Sequence, residues 1–471
     1  MLKLLIVKEI RAHLLSFRFA VSGLLLFLLV VSSVQIISVG YARQLSAYTE
    51  GQRAEEEKLK QGTDFRTLMW GGSKVEKRPN ALGVLAVGLE KEMARSVTIS
   101  RFQDTRLGRS KYANPLFVLF QAPDVSYIVN LVGSLLALLF AFDAVCGEGE
   151  QGTLKLVMAN SVPRHRVLLA KWIGGYLALV VPFLTAVVAA LLIAHVTTGL
   201  RFTGAEWVAV AGMLGIAALY ISVFYLLSLM ISTWVHTSST SLVVNFLVWV
   251  ILVLLIPNTA PIAARALAPV PSTGVIAGQR QAIQRQAWEK LRPQRRQGGA
   301  GPGQGGQSEN RAARQARFDQ AQAEVREQTD KIMADYLQRV DRQVALGVGL
   351  SRLSPSASYV YATAGLASSG LTEFAGLRGT IDRYRQEFMQ AAQNIQNERQ
   401  QQAEQASDDS QRREIMDAPI DPHALPRFDP GRPALGEVLT SVQLDLLILL
   451  VLNGVFFLGA YVGFLRYDLM R

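Results

Sequence analysis

The chain has 471 residues, of which 50% are hydrophobic, with a mean hydropathy of +0.22 and a formal net charge of +11. That hydropathy excludes an ordinary soluble enzyme, while the length suffices for one helical membrane bundle carrying soluble lobes. The basic balance does not indicate nucleic acid, because aromatic residues are not interleaved with the basic ones, and the single cysteine, Cys146, rules out an intrachain disulfide.

Six apolar runs, at 19–39, 125–145, 172–196, 207–231, 239–256 and 439–464, organise the chain. Each approaches or exceeds the roughly 20 apolar residues of a spanning helix, and none alternates polar with apolar residues as a barrel strand does. Ahead of the first run, Ile6, Val7, Ile10, Leu14 and Phe17 recur at helical spacing with Lys8, Glu9 and Ala12 opposite. This predicts an interfacial amphipathic helix over 1–18, with a cytoplasmic extension of the first span as the alternative. No convincing small-residue cleavage site follows the first run, so 19–40 is read as a retained transmembrane helix rather than a signal sequence.

The insertion over 41–124 holds a polar, helix-forming stretch at 50–61 and short segments at 82–87 and 96–100 read as strands, which predicts a small mixed α/β lobe. Asp124 marks the start of the next helix. Transmembrane helices two to five occupy 125–256, with a loop over 147–171 between the second and third. Pro182 predicts a kink in the third span.

The second insertion, 257–437, reads as a larger, mainly α-helical lobe. Ile332, Tyr336, Val340 and Val344 form one apolar stripe, and Tyr384, Phe388, Ala392 and Ile395 another, so the two are expected to pack on each other. A glycine-rich run at 297–307 reads as a flexible loop, and the Gln-rich stretch 394–411 as a solvated helix end. The sixth span, 438–465, leads to a short tail over 466–471. The expected fold is thus an all-α integral membrane bundle of six transmembrane helices with two lobes.

The short segments beside the spans carry Lys3, Lys8, Arg11 and Arg18, then Lys155, Arg164, Arg166 and Lys171, and finally Arg466 and Arg471. The positive-inside rule places these in the cytoplasm, and an even number of spans then puts both termini there. Both insertions fall on the far side, where the charge of long loops does not oppose the assignment.

None of the histidines, His13, His165, His195, His236 and His423, is spaced with another ligand as a metal site requires, and no phosphate-cradling glycine loop occurs. No catalytic residue, cofactor site or metal site is therefore assigned, and any ATP must be bound by another chain. Among polar residues in the spans, Asn130, Asn245, Asp445 and Asn453 are candidates for a translocation path, with interhelical packing the alternative for the asparagines. Asp143 and His195 lie near span ends.

The strongest local signal is Phe142-Asp143-Ala144-Val145-Cys146-Gly147-Glu148-Gly149-Glu150-Gln151-Gly152-Thr153-Leu154, followed by Ser161-Val162-Pro163-Arg164-His165-Arg166 and Lys171. It offers acidic residues, a glycine turn, a short helix over 153–159, a proline stop and a basic return to the bilayer.

This segment resembles the E-x-E-x-G-T-L, P-x-R and Lys pattern of type-2 ABC exporter permeases. Asn114-Pro115-Leu116, Ser134-Leu135-Leu136-Ala137, Leu353-Ser354-Pro355-Ser356, Leu425-Pro426-Arg427-Phe428 and Phe464-Leu465-Arg466-Tyr467-Asp468 extend the resemblance, toward a branch with two large periplasmic insertions similar to gliding-associated ABC transporter permeases. The resemblance implies an elbow helix near the N-terminus and an ATPase-docking coupling helix in the loop, with Glu148, Glu150, Gly152, Thr153, Pro163 and Arg164 as the ATPase-coupling residues. Gly149 departs from relatives that carry a basic residue between the two acids.

The resemblance also implies a bacterial inner-membrane exporter subunit working as a dimer with an identical or related permease. A separate cytoplasmic ABC ATPase would hold ATP and Mg. Membrane lipid and a periplasmic protein complete the expected partners, with no nucleic acid. Two rival readings remain: a mechanotransmitter whose lobes act on periplasmic proteins without transport, and a membrane receptor or scaffold.

Overall fold

The computed structural model describes residues 2–60, 73–90, 96–99, 106–108, 123–159, 162–291, 311–406, 408–418, 424–426, 428 and 435–467. Two compact units form, one from Met1–Val253 with Pro355–Arg471 and one from Leu254–Ser354.

In the first unit, α1 (Leu2–Leu14) ends at a two-residue break, where the Ser16 hydroxyl accepts from the Phe19 amide at 3.2 Å and starts α2 (Phe17–Lys60). The polar stretch beginning at residue 50 is therefore helical, as one continuation of the first spanning helix. Three short strands, β1 (Ser73–Glu76), β2 (Ser96–Ile99) and β3 (Arg106–Gly108), pair antiparallel in that order. This patch does not amount to a mixed α/β lobe. Of the two expected strands, that at 96–100 is β2, whereas that at 82–87 is instead a 3₁₀ turn, Ala81–Val84, begun by the Asn80 side chain accepting from the Leu82 amide at 3.1 Å. A short buried apolar run does not by itself distinguish strand from turn.

The second span, α3 (Val125–Glu150), is capped by Asp124, whose carboxylate accepts from the Tyr127 and Val87 amides, each at 2.7 Å. It contains a π turn at Val129–Gly133 and loosens over 142–145. At that loosened point the Ser232 hydroxyl receives the Val145 and Cys146 amides at 3.0 and 3.2 Å. A short helix, α4 (Thr153–Ala159), matches the expected helix in the loop, and α5 (Arg164–Thr198) carries Pro182 inside it.

The fourth span, α6 (Gly204–Trp234), begins with a Thr203–Glu206 capping box and is 72% buried over its most apolar window, which makes it the centre of the bundle. It packs against α3, α5 and the sixth span. By contrast, α2 and α7 (Ser238–Leu267) are 22% buried and α13 (Leu435–Arg466) 17% over theirs, so these three leave wide apolar faces uncovered. A second π turn, Val250–Leu255, interrupts α7.

The first unit also holds α10 (Pro355–Leu366), which is buried almost throughout and packs on α6 and α13. That part of the second insertion therefore belongs to the bundle. Beyond it, α11 (Leu371–Gln405) and α12 (Asp409–Asp417) follow, and Ile381, Tyr384, Phe388 and Leu425 form a small core of their own. The Gln-rich stretch is regular helix through Gln405.

The second unit is built from the end of α7, α8 (Thr273–Leu291) and α9 (Arg311–Ser351). Gln343 Nε2 on α9 donates to the Ala268 carbonyl at 2.6 Å, and Trp288 and Phe318 meet edge to face at 6.0 Å. The two apolar stripes thus each find partners inside their own unit: the α9 helix against α7 and α8, and the α11 stripe with Leu425 and Phe428. The glycine-rich run at 297–307 lies outside the described residues.

Candidate functional site

Five separate elements converge on the 147–171 loop: α1, α3, α5, α7 and α13. The Lys171 ammonium on α5 has 3% of its side chain exposed and meets Glu148 Oε1 at 2.9 Å and Glu9 Oε1 at 3.4 Å. Lys8 closes the group, 3.4 Å from Glu148 and 3.7 Å from Glu9. Two cations and two anions alternate, so the buried Lys171 ammonium has its charge balanced, while Lys8 keeps half of its side chain exposed. The cluster ties α1, the loop and α5 into one body.

Glu150, two residues on, serves another helix. Its carboxylate accepts from the Ser238 amide at 3.1 Å and from the Ser238 hydroxyl at 2.5 Å, satisfying the first turn of α7 and placing negative charge at its positive end. Arg164 does the reverse for the last span. Its guanidinium donates to the Phe464 and Leu465 carbonyls at 2.7 and 2.6 Å and lies 5.9 Å from the Phe464 ring centre, so a cation caps the negative end of α13. Pro163 sits at the start of α5, where its missing N–H costs nothing, and its carbonyl accepts from the Arg166 amide at 2.9 Å.

Gly152 turns the chain between Glu150 and α4 with φ +72°, a conformation that costs any residue with a Cβ. Thr153 begins α4 and its hydroxyl donates to the Glu148 carbonyl at 3.3 Å. Gly149 faces the Tyr467 hydroxyl so closely that a Cβ there would collide with it. Tyr467 also stacks on His236 with ring centres 5.7 Å apart. A basic side chain between the two acids would displace Tyr467.

Against this anchored framework α4 buries only Leu154 and presents Lys155 and Leu156, the latter 70% exposed. On α1, His13 stacks on Phe140 at 5.5 Å. Burial holds its imidazole below the ordinary histidine pKa; Glu9 and Asp143 raise it, while Lys171 and Arg18 lower it further. Asp143 pairs with Arg18 at 2.8 Å.

The four path candidates lie elsewhere. Asn130 Oδ1 accepts from Tyr220 at 2.8 Å and from Ser356 at 2.7 Å. Asn453 Nδ2 bridges α13 to α6 through the Leu219 carbonyl at 3.2 Å, and Asn245 Nδ2 bonds back to the Ser241 carbonyl at 2.9 Å. Asp445 is buried on α13. Sequence reasoning missed Lys8, Glu9, Ser238 and Tyr467 as members of the loop site. For Glu9 the available signal was a carboxylate on the polar side of an otherwise basic helix.

A family model described as ABC-2 family transporter protein matches residues 4–469, nearly the whole chain. The chain belongs to the ABC-2 transporter permease family. The six helices long and apolar enough to cross a membrane agree with a membrane-spanning member of that family. Over 73 residues it is 40% identical to the "Probable ABC transporter permease protein NosY" of Stutzerimonas stutzeri, a match covering 14% of this chain and 26% of that relative. The chain thus aligns with about a quarter of that relative's length.

Proposed function

We propose that this ABC-2 permease is the transmembrane subunit of a bacterial inner-membrane exporter with both termini in the cytoplasm. A separate cytoplasmic ATPase, holding ATP and Mg, docks on α4. The protein works as a dimer with an identical or related permease, and α2, α7 and α13 supply the faces that meet the second permease and lipid. Closure of the ATPases pushes α4, and the anchored loop passes that displacement to the spans, opening a path outward.

One observation carries this reading: the loop is bonded separately to α5, α7 and α13 while α4 keeps Leu156 70% exposed. A force applied at α4 therefore reaches three spans at once, and the exposed apolar residue is available to a partner.

The test combines affinity purification with reconstitution. An ATP-binding chain co-purifies, and a second permease alongside it distinguishes a heterodimer from a homodimer. Glu150→Ala with Arg164→Ala keeps the ATPase bound but lowers the coupled hydrolysis by about tenfold, because two charge-assisted helix caps are lost. Leu156→Asp instead loses the ATPase from the purified complex. Unchanged coupled hydrolysis in the double variant refutes the reading.

A second reading is favoured by α10, which is buried in the bundle and leads directly into the 35-residue α11. In a mechanotransmitter the same push would swing α11 against a periplasmic protein without transport. Movement of α11 driven by ATP in the absence of any translocated cargo would select it.

A further inference from the structure

A second network, at the end of α3 opposite the loop, connects four helices through one asparagine. Asn130 lies in the π turn Val129–Gly133 of α3. Its side-chain oxygen receives the Tyr220 hydroxyl of α6 at 2.8 Å and the Ser356 hydroxyl of α10 at 2.7 Å. Its carbonyl receives Tyr220 at 3.0 Å and the Ser134 hydroxyl at 2.5 Å, and Ser134 in turn accepts from the Trp249 indole of α7 at 2.8 Å. Tyr220 and Tyr359 of α10 stack with ring centres 4.4 Å apart. Tyr220, Tyr359, Ser134 and Ser356 are each no more than 2% exposed.

Two features set this network apart from ordinary interhelical packing. Two of the helices that meet in it, α3 and α7, have π turns there, since Trp249 directly precedes Val250–Leu255. Such turns are local register defects that recur where helices shift at functional sites. In addition, the far end of α10 is held by the first insertion: the Leu89 amide donates to the Ser369 carbonyl at 2.9 Å, and Asn80 Nδ2 to the Ala367 carbonyl at 2.5 Å. Along its length α10 bonds to α3 twice, through Ser356 to Asn130 at 2.7 Å and through Thr363, whose hydroxyl lies 2.9 Å from that of Ser126.

We infer that Asn130 and Tyr220 are positioning residues that pass displacement of α3, α6 and α7 to α10, so that α10 and α11 follow the nucleotide state. This rests on the ATP-driven reading above. Asn130 offers one side-chain oxygen to hydroxyls of two helices, so a turn of that side chain that follows Tyr220 of α6 also changes its bond to Ser356 of α10. A buried network of this kind has discrete arrangements rather than a continuous range.

The test is amide hydrogen exchange on the full complex with its ATPase in lipid nanodiscs, with and without a non-hydrolysable ATP analogue and Mg. Tyr220→Phe and Ser356→Ala each remove one hydroxyl and leave the packed carbon framework in place. In the wild-type complex the analogue changes exchange over both 146–159 and 355–366. In both variants the change over 355–366 falls by about tenfold, the factor that one hydrogen bond of ordinary net strength is worth, while the change over 146–159 is retained. An undiminished response over 355–366 in both variants overturns the inference, as does a wild-type response confined to 146–159. Absence of any response over 146–159 in the wild type overturns the ATP-driven reading itself.

Discussion

Replacing Lys171 by Met tests whether the loop is held by charge. Lys171 has 3% of its side chain exposed and serves two carboxylates, Glu148 at 2.9 Å and Glu9 at 3.4 Å. Removing one member of a buried ion pair costs about 3–5 kcal/mol, because the remaining charge is left uncompensated. Here the acids keep 21% and 13% exposure and Lys8 remains near both, so the lower end, about 3 kcal/mol, applies. Glu148→Gln leaves Lys171 with Glu9 and costs about 2 kcal/mol, the worth of a hydrogen bond to a charged group.

The double variant decides the matter. Once Lys171 is gone, neutralising Glu148 removes an unpaired anion, so the two costs do not add; the coupling is about 1.5–3 kcal/mol. The measurement is a double-mutant cycle of SDS-induced unfolding in mixed micelles, followed by tryptophan fluorescence. Costs that add to within about 0.5 kcal/mol would refute the claim that the cluster acts as a unit.

Two further outcomes follow from the same region. Gly149→Ala pushes Tyr467 off His236 and costs about 1–3 kcal/mol by overpacking, and Tyr467→Ala in that background restores most of it; both are read in the same unfolding assay. His13 has its pKa lowered by burial, so the folded state binds its proton less readily than the unfolded chain does. The stabilisation is present above the unfolded value, about 6.5, and is lost as pH falls through it. Hydrogen exchange over Leu2–Leu14 should rise as pH falls below that value, after correction for intrinsic rates, and His13→Phe should remove the dependence.

The bundle was legible because lipid leaves few solutions for a polar backbone, and six long apolar runs report them directly. The short helix Thr153–Ala159 was legible for a local reason, glycine before it and proline after it. Two departures from the sequence reading have local causes. The run at 82–87 is apolar because it is buried, and burial of so short a segment carries no period to separate turn from strand. Pro355–Leu366 was read as part of a lobe because its Ser, Thr and Ala content lowers its hydropathy; small residues are what allow a helix to pack closely among other helices. The partners of the loop were illegible for another reason: Lys8 and Ser238 meet Glu148 and Glu150 across 140 and 88 residues, and no local pattern encodes such pairings.

The acidic and basic positions of the loop read, from sequence, as a docking surface. Their contacts argue for a different division of labour. Glu148 is consumed by Lys171 and Lys8, Glu150 by the start of α7, and Arg164 by the end of α13, so each is already engaged within the chain. What remains for a partner is α4, with Lys155 and Leu156 outward. Under the proposed function the pattern E-x-E-x-G-T-L records how the loop is wired to the bundle, and the docking surface is the helix that follows, where many side chains would serve. A loop fixed at several points transmits displacement better than one held at its two ends, because it cannot absorb a push by bending. On that proposal the charged residues are spent on stiffness, and contact with the partner is left to a helix of seven residues.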